Sequence, residues 1–382
     1  MRLFALAAAA AVATACSTLS GESTLAPAPF ADPNAPSGAV RATPMPSATL
    51  DANRAISRIA VGSCNDPKRP QGIFDTIAAT DPDVFLYIGD NVYGDVRSKD
   101  PALPELKAAY MRLAQSAPYA RLRASTPVLT TWDDHDYGLN DAGAEFEFKE
   151  AAQALYTYVY AIPDGDPRRE REGVYHSVML GEGGRRAQII LLDTRYFRSE
   201  LTRTDDYGAE GKERYLPSKD ENQAMLGDAQ WSWLEGELRK PADIRLLITS
   251  IQVIAEGHGW EAWRLMPKER ARLYALLEDT GADNTILVSG DRHIGGIYAE
   301  PEAAGSPLFE LTSSSLTLPA SRWNPDGEAE PGPKRLGGVV RDANFGLIDI
   351  DWDEETIRLG LHGEDGAMIL EKRVSFDAVR GG

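Results

Sequence analysis

The residues best suited to chemistry follow an apolar stretch near the start of the chain. Residues 83–88 are a run of strand-forming residues that Gly89 ends, and Asp90, Asn91, Tyr93 and Asp95 come directly after it. Because ligands of α/β proteins bind beyond the carboxyl ends of the strands, these side chains lie where a site is expected. Clustered oxygen ligands predict a metal ion. The alternative is an ordinary turn capped by Asp90.

The same arrangement recurs after three other predicted strands, at residues 56–62, 126–132 and 284–290. The side chains that follow them are Cys64, then Asp134 and His135, then Asp291 and His293. A strand–helix–strand unit over residues 56–88 brings the first two of these four loops to one sheet edge. Thiolate, phenolate and carboxylate ligands together suit a trivalent or borderline metal beside a harder divalent one. The pattern therefore predicts a two-metal hydrolytic site, which can activate water and clamp phosphoryl oxygens.

Some of these residues also allow structural interpretations. Cys64 could be a buried small hydrophobe, and His135 could be a ligand, a general acid or a surface histidine. Arg195 follows a strand predicted at residues 187–192. It is equally consistent with a clamp for phosphate or carboxylate and with a salt bridge to Asp193. Whether His258 reaches the site is left open.

Composition places the chain among soluble globular proteins. It has 382 residues, 43% of them hydrophobic and 26% charged, with a net charge of −18. This acidity predicts no affinity for nucleic acid, whose phosphate backbone attracts Lys and Arg. Neither a Gly-x-Ser-x-Gly elbow nor a phosphate-binding Gly-rich loop with Lys occurs, and no dinucleotide motif follows the first strand. We expect a monomer.

The N-terminus is typical of an exported bacterial protein. A basic start and an Ala-rich apolar run precede Cys16, which is the pattern of a signal peptide. Residues 13–16 also resemble a lipobox, in which Cys16 would carry a lipid anchor; ordinary cleavage to a soluble periplasmic or secreted protein is the alternative. We therefore predict a signal peptide or lipobox at 1–16, a disordered tether rich in Ala, Pro and Ser at 17–53, and one catalytic domain at 54–382.

The remaining pattern predicts an α/β fold. Strands and helices alternate up to residue 290, as in parallel sheets, and the strands after residue 308 are expected to be antiparallel. Residues 320–340 are rich in Pro and Gly and are predicted to form a long loop over the site.

Five sequence blocks in this order resemble the alkaline phosphatase D (PhoD-like) metallophosphatases, relatives of the purple acid phosphatases and the calcineurin-like group. The blocks are Gly62-Ser63-Cys64, Gly89-Asp90-Asn91-Val92-Tyr93, Trp132-Asp133-Asp134-His135-Asp136, Leu192-Asp193-Thr194-Arg195 and Gly290-Asp291-Arg292-His293. The resemblance covers roughly residues 54–351. It implies a two-sheet α/β/β/α sandwich. Only a tether precedes the expected domain, so the chain resembles a short form of the family.

The resemblance also implies roles for individual residues. Cys64 and Tyr93 would bind iron as Fe(3+), and Asp90 would bridge to a second metal, often calcium; from the residues alone, zinc, manganese or magnesium are alternatives. Other residues would complete the metal ligands, namely Asp134, Asn140, Asp291 and His293. His135 would lie beside the leaving group and Arg195 would contact phosphate.

Two functional hypotheses follow. The first is an enzyme that hydrolyses phosphomonoesters, phosphodiesters or both, phospholipid headgroups included, by a metal-activated hydroxide. The second is a catalytically silent, envelope-tethered binding module of the same fold. The presence of every ligand type favours the enzyme.

Overall fold

Two six-stranded mixed sheets form the centre of the protein. The computed structural model describes residues 41–324 and 331–381. The first sheet has the strand order β12-β11-β10-β1-β2-β3 and the second has the order β4-β5-β6-β7-β9-β8. The strands are β1 (Arg58–Gly62), β2 (Val84–Ile88), β3 (Val128–Thr131), β4 (His176–Leu180), β5 (Ala187–Leu191), β6 (Ile244–Ile248), β7 (Thr285–Ser289), β8 (Gly295–Glu300), β9 (Leu308–Ser313), β10 (Asn344–Asp351), β11 (Thr356–Gly363) and β12 (Met368–Ser375).

Parallel pairing explains why residues far apart in sequence meet at one edge. Strands β1, β2 and β3 run parallel in the first sheet. Strands β5, β6, β7 and β9 run parallel in the second. The carboxyl ends of parallel strands lie together, so each sheet presents its following loops on one side. The antiparallel strands β10, β11 and β12 extend the first sheet away from these loops.

Alternating side chains on each strand build three apolar layers. Val61 and Leu86 of the first sheet pack in one cluster with Ile189, Ile248 and Val288 of the second, so this core lies between the sheets. Residues of the opposite strand faces pack against helices on the two outer sides. The helices are α1 (Ile73–Ala79), α2 (Pro104–Ala114), α3 (Ala117–Ser125), α4 (Asp134–Tyr137), α5 (Lys149–Val159), α6 (Gly227–Leu238), α7 (Pro267–Asp279) and α8 (Phe376–Arg380).

This arrangement confirms the predicted two-sheet α/β/β/α sandwich. Four elements were not predicted, namely α4, β8, β12 and α8. Helices α4 and α8 are too short to show a helical period, and β8 begins with two glycines, a residue depleted in strands. Strand β12 is mostly exposed, so it lacks the apolar alternation of a half-buried strand. None of the helices within the described ranges combines the length and apolar character that a membrane crossing requires.

The packed part of the chain begins earlier than the predicted boundary at Arg54. Residues 41–50 have no regular secondary structure, yet Ala42 and Met45 are buried in the core between the first sheet and its helices. The main-chain N–H of Met45 donates to the carbonyl of Val159 at 2.7 Å. Assigning residues 41–53 to the tether was therefore wrong, because isolated apolar residues in a Pro-rich stretch show no period. The signal peptide, Cys16 and residues 17–40 lie outside the described residues.

Gly89 occupies a position between β2 and the loop that follows it where a side chain does not fit. Its φ is +114°, and a Cβ placed there would lie 2.6 Å from Cβ of Asp133. Glycine alone reaches such a backbone conformation without strain. The close approach of these two backbone segments, at Gly89 and at Asp133, lets the loops after β2 and β3 share one site.

We expect Gly89→Ala to lower the free energy of unfolding by about 2–4 kcal/mol, through backbone strain and overpacking. Urea denaturation measures this change. Gly236→Ala is the matched control, since Gly236 lies inside α6 with nothing within 4 Å of an added Cβ. That variant should gain about 0.5–1 kcal/mol. Equal stability of Gly89→Ala and the wild type would refute the close approach.

Candidate metal centre

Sharp left-handed turns aim the predicted ligands into one site. Cys64, Asp90, Asp291 and His293 have φ values of 56°, 49°, 68° and 57°. Non-glycine residues seldom adopt this region, and each costs of order 1–3 kcal/mol unless its surroundings hold it there. These turns follow β1, β2 and β7, so the backbone turns back at each strand end and brings the side chain over the sheet edge.

The first group of ligand atoms contains the soft donors. Ligand atoms of Cys64, Asp90 and His293 all lie within 4.8 Å of one another. The hydroxyl of Tyr93 donates to Oδ2 of Asp90 at 2.8 Å and lies 3.4 Å from Nε2 of His293. Cys64 Sγ lies 3.6 Å from the same Asp90 oxygen. One thiol, one phenol, one carboxylate and one imidazole therefore converge around a single point.

Two further groups extend the first: the second group shares Asp90 with the first, and the third shares Asp134 with the second. Ligand atoms of Asp90, Asp134 and His135 lie within 4.8 Å of one another, as do those of Asp133, Asp134 and Asp291. Asp90 belongs to both the soft group and the second group. This is the position that a carboxylate bridging two cations must occupy. Asp133 was not predicted as a ligand.

The pKa values of these groups indicate that the protein alone supplies too little positive charge at the site. Burial, and then neighbouring carboxylates, raise the pKa of Asp90 and Asp291 well above the usual range. Burial and then Asp90 likewise raise the pKa of the Cys64 thiol. Oδ2 of Asp133 is buried and accepts no hydrogen bond within the described structure. Bound cations would reverse these shifts, because they stabilise the deprotonated ligands. The donor set therefore fits metal ions.

Hydrogen bonds on the far side of each imidazole set its orientation. Nδ1 of His293 lies 2.5 Å from the carbonyl oxygen of Leu318 and donates to it, which leaves Nε2 directed at the ligand group. Burial lowers the pKa of His293 to about 4, so the ring is neutral, as a metal ligand must be. Nδ1 of His135 lies 3.0 Å from Oδ1 of Asp95.

His135 lies next to several carboxylates and keeps its proton. Burial alone would lower the pKa of His135, but Asp134 and Asp90 outweigh it and raise this pKa well above its usual value. Burial also opposes ionisation of Asp134, yet His135 and Arg195 lower the pKa of that carboxyl. Without bound cations, the pair is therefore an imidazolium beside a carboxylate.

A cavity of about 760 Å³ opens above the ligand groups. Asp90, Asp134, His135, Asp291 and His293 form part of its wall, and the predicted ligand Asn140 also lines it. The main-chain N–H of Asn140 donates to Oδ1 of Asp95 at 2.8 Å. Its place as a metal ligand stays a prediction.

The loop predicted to overhang the site does so in its described parts. Four residues of this loop line the cavity, namely Trp323, Asn324, Pro331 and Val339. The ring of Trp323 meets the ring of His293 edge-on at 4.9 Å between centroids.

Residues 59–359 match the family model described as PhoD-like phosphatase. The chain belongs to the PhoD-like phosphatase family. It is therefore a phosphoric ester hydrolase that binds metal ions. No curated protein matches this sequence.

Two solved structures share the fold of this PhoD-like chain. A structure titled "Structure of PhoD" has a TM-score of 0.62 at 15% identity, over 86% of this chain and 73% of that one. The purple acid phosphatase PPD1 from seeds of yellow lupin (Lupinus luteus) has a TM-score of 0.51 at 12% identity, over 86% of this chain and 55% of that one. Both support the metallophosphatase sandwich.

The structure places Arg195 beneath the site rather than in it. Its side chain is fully buried and does not line the cavity. Nε lies 2.5 Å from Oδ1 of Asp133, and Nη1 lies 2.7 Å from Oε2 of Glu261. Arg195 donates to Asp193 through its main-chain N–H and not through its guanidinium. Arg195 therefore forms its ion pairs with Asp133 and Glu261 rather than with Asp193, and its contact with phosphate stays a prediction.

Several residues of this PhoD-like site were missed in the sequence. Glu261 pairs with Arg195 and Arg198 and lines the cavity, but it lies in an irregular segment after β6 that shows no motif. Arg292 lines the cavity and stands between two predicted ligands, a position that could have identified it. His258 is buried, accepts the main-chain N–H of Trp260, and is absent from the cavity wall.

We expect Arg195→Leu to lower the free energy of unfolding by about 3–5 kcal/mol, because it leaves Asp133 and Glu261 as uncompensated buried charges. The loss should shrink at acidic pH, where protonated carboxyls need no counter-charge. Arg239→Leu is the control, because its pair with Glu235 is half exposed, and it should cost about 0.5 kcal/mol or less. If Arg195→Leu had normal stability but bound phosphate more weakly, the result would favour a direct contact of Arg195 with phosphate over a structural role.

Proposed function

We propose that this protein hydrolyses phosphomonoesters, phosphodiesters or both at a two-metal site. The observation that carries the proposal is the sharing of Asp90 between two adjacent ligand groups, only one of which contains the soft donors Cys64 and Tyr93. Different donors on the two sides of one carboxylate suit two different cations. The cavity above them also holds arginine, which suits an anionic ester.

The residues divide between the two cations by their chemistry. Cys64 and Tyr93, with His293, would hold Fe(3+), since thiolate and phenolate stabilise a trivalent or borderline ion. Asp134, Asp291 and Asn140 would hold a harder ion, calcium first, with zinc, manganese or magnesium as alternatives. When bound, the ions would lower the pKa of a water molecule to give the attacking hydroxide and would stabilise charge on the phosphate oxygens.

Residues of the chain itself would bind the ester and move its protons. Arg292 joins Arg195 as a candidate for contacting phosphate, because it lies between Asp291 and His293 and lines the cavity. His135 lines the same cavity, and Asp95 holds its Nδ1. This imidazolium can donate a proton to the leaving oxygen.

The proposal extends to where the protein acts. The N-terminal pattern supports export to the bacterial periplasm, with Cys16 as a lipid anchor to the envelope or with release by ordinary cleavage. Substrates available there include small phosphate esters and phospholipid headgroups. The net charge of −18 argues against nucleic-acid partners, and a monomer suffices, since every proposed ligand comes from one chain.

We expect elemental analysis of the purified protein to find iron and a second metal that is divalent. The protein should also hydrolyse p-nitrophenyl phosphate or its diester. Chelation should abolish turnover, and returning both metals should restore it. Cys64→Ser should lose the iron and at least about 90% of the activity, because a hydroxyl is a poor substitute for thiolate. Stoichiometric metal without turnover of either ester would instead favour the silent binding module. Full iron content in Cys64→Ser would contradict the placement of the soft site.

We expect His135→Asn to lower kcat by about 10²–10⁴ for an alkyl phosphate, whose leaving oxygen needs a proton. The loss should be much smaller for p-nitrophenyl phosphate, whose leaving group departs as an anion. Asp95→Asn should reproduce this leaving-group dependence more weakly, because Asp95 only positions the imidazole. An equal loss for both esters would contradict the proton-donor role and indicate a structural or ligand role.

A further inference from the structure

A second cavity adjoins the metal centre and shares its wall. It measures about 720 Å³, and Asn140, Asp141 and Arg214 line both it and the cavity above the metal ligands. The rest of its lining is mixed: Leu139, Ala142, Leu201, Tyr207 and Tyr215 form an apolar part, and Glu145, Glu200, Arg203 and Thr204 form a polar part. A molecule bound by its phosphate at the metal centre could therefore reach the second cavity past this wall.

The dividing wall is held to the metal ligands. Oδ2 of Asp141 accepts from Nη1 of Arg214 at 2.8 Å and from the hydroxyl of Tyr215 at 2.7 Å. The main-chain N–H of Asp141 donates to Oδ2 of Asp134 at 2.6 Å. The main-chain N–H of Leu139 donates to the carbonyl oxygen of Asp134. The second cavity is thus positioned by the same residue that contributes to the metal centre.

Exposed apolar side chains in this protein concentrate around the two cavities. Five large apolar side chains in the described part of the chain are exposed, namely Leu139, Tyr207, Trp323, Met368 and Ile369. Leu139 and Tyr207 are 39% and 74% exposed and line the second cavity, and Trp323 lines the first. Only Met368 and Ile369 lie elsewhere, on the edge strand β12. Exposed apolar surface beside a polar site is typical of a ligand-binding groove.

We propose that the second cavity binds the organic group of the phosphate ester, and that this group is apolar, either aryl or alkyl. The inference rests on the proposed hydrolytic function, because the phosphate must lie at the metal centre for its organic group to cross the shared wall. The ring face of Tyr207 and the side chain of Leu139 supply the contact. The preferred substrates are therefore esters of bulky apolar alcohols rather than of small polar ones.

Two non-hydrolysable phosphonates test the cavity in the metal-loaded enzyme. Methylphosphonate occupies only the metal centre, whereas 2-naphthylmethylphosphonate adds a large apolar group. Calorimetric titration should show the naphthyl compound binding about tenfold more tightly to the wild type, because it buries apolar surface. Tyr207→Ala and Leu139→Ala should each lose most of this advantage, about three- to fivefold, with methylphosphonate affinity retained. Tyr207→Phe keeps the ring and should keep the advantage.

Ile369→Ala is the matched control, since Ile369 is 51% exposed on β12, and both affinities should equal those of the wild type. The proposed subsite would be contradicted if the wild type bound the naphthyl compound no more tightly than methylphosphonate. It would also be contradicted if Tyr207→Ala and Leu139→Ala kept the full difference in affinity. Hydrolysis of p-nitrophenyl phosphate or its diester by the same wild-type sample reports separately on the proposed function. Turnover without a naphthyl advantage rejects the subsite alone, and no turnover rejects the function. Failure of both phosphonates to bind overturns both.

Discussion

The repulsion among buried carboxylates at the sheet edge is the constraint on which the rest of the site depends. Asp90, Asp133 and Asp134 are buried and Asp291 beside them is half-buried, so their like charges interact strongly. Such a cluster is tolerable only when positive charge lies within a few ångströms. Bound cations would provide it on the cavity side, and the buried Arg195 provides it below. The burial of these carboxylates is therefore possible because each lies near a compensating positive charge.

Arg195 shows how this compensation is built into the fold. It comes from the loop after β5, yet it neutralises Asp133 from the loop after β3 and Glu261 from the segment after β6. Arg198 adds a second guanidinium to Glu261. The second sheet thus supplies a fixed counter-charge for the ligands of the first. The two sheets must pack in one relative position for these pairs to form, so core packing and site electrostatics depend on each other.

The sequence was sufficient to predict the fold, and to predict that Cys64, Asp90, Asp134, Asp291 and His293 come together at one sheet edge, because both follow local rules. An apolar run that ends in Gly and a carboxylate marks a strand end, and parallel strands bring such ends together. Arg195 obeys the same local rule, but the rule could not show that its side chain is buried in ion pairs. Burial of an arginine depends on Asp133 and Glu261, which are distant in the chain. No sequence pattern identified Glu261 as a site residue, because it lies in irregular backbone. No pattern predicted β12 either, because it is an exposed edge strand.

Local charge, rather than net charge, governs the approach of an anionic ester to this acidic protein. Salt screens charges beyond about 8 Å at physiological ionic strength, so the −18 of the whole chain is felt weakly inside a cavity. Arg214, Arg292 and Arg341 line that cavity together with seven carboxylates, so the cavity becomes positive only where cations bind. A low-dielectric cleft would concentrate the field of those cations on an incoming phosphate. An acidic surface disfavours extended polyanions such as nucleic acids, which must also contact the outer surface. It leaves a compact phosphate ester able to enter.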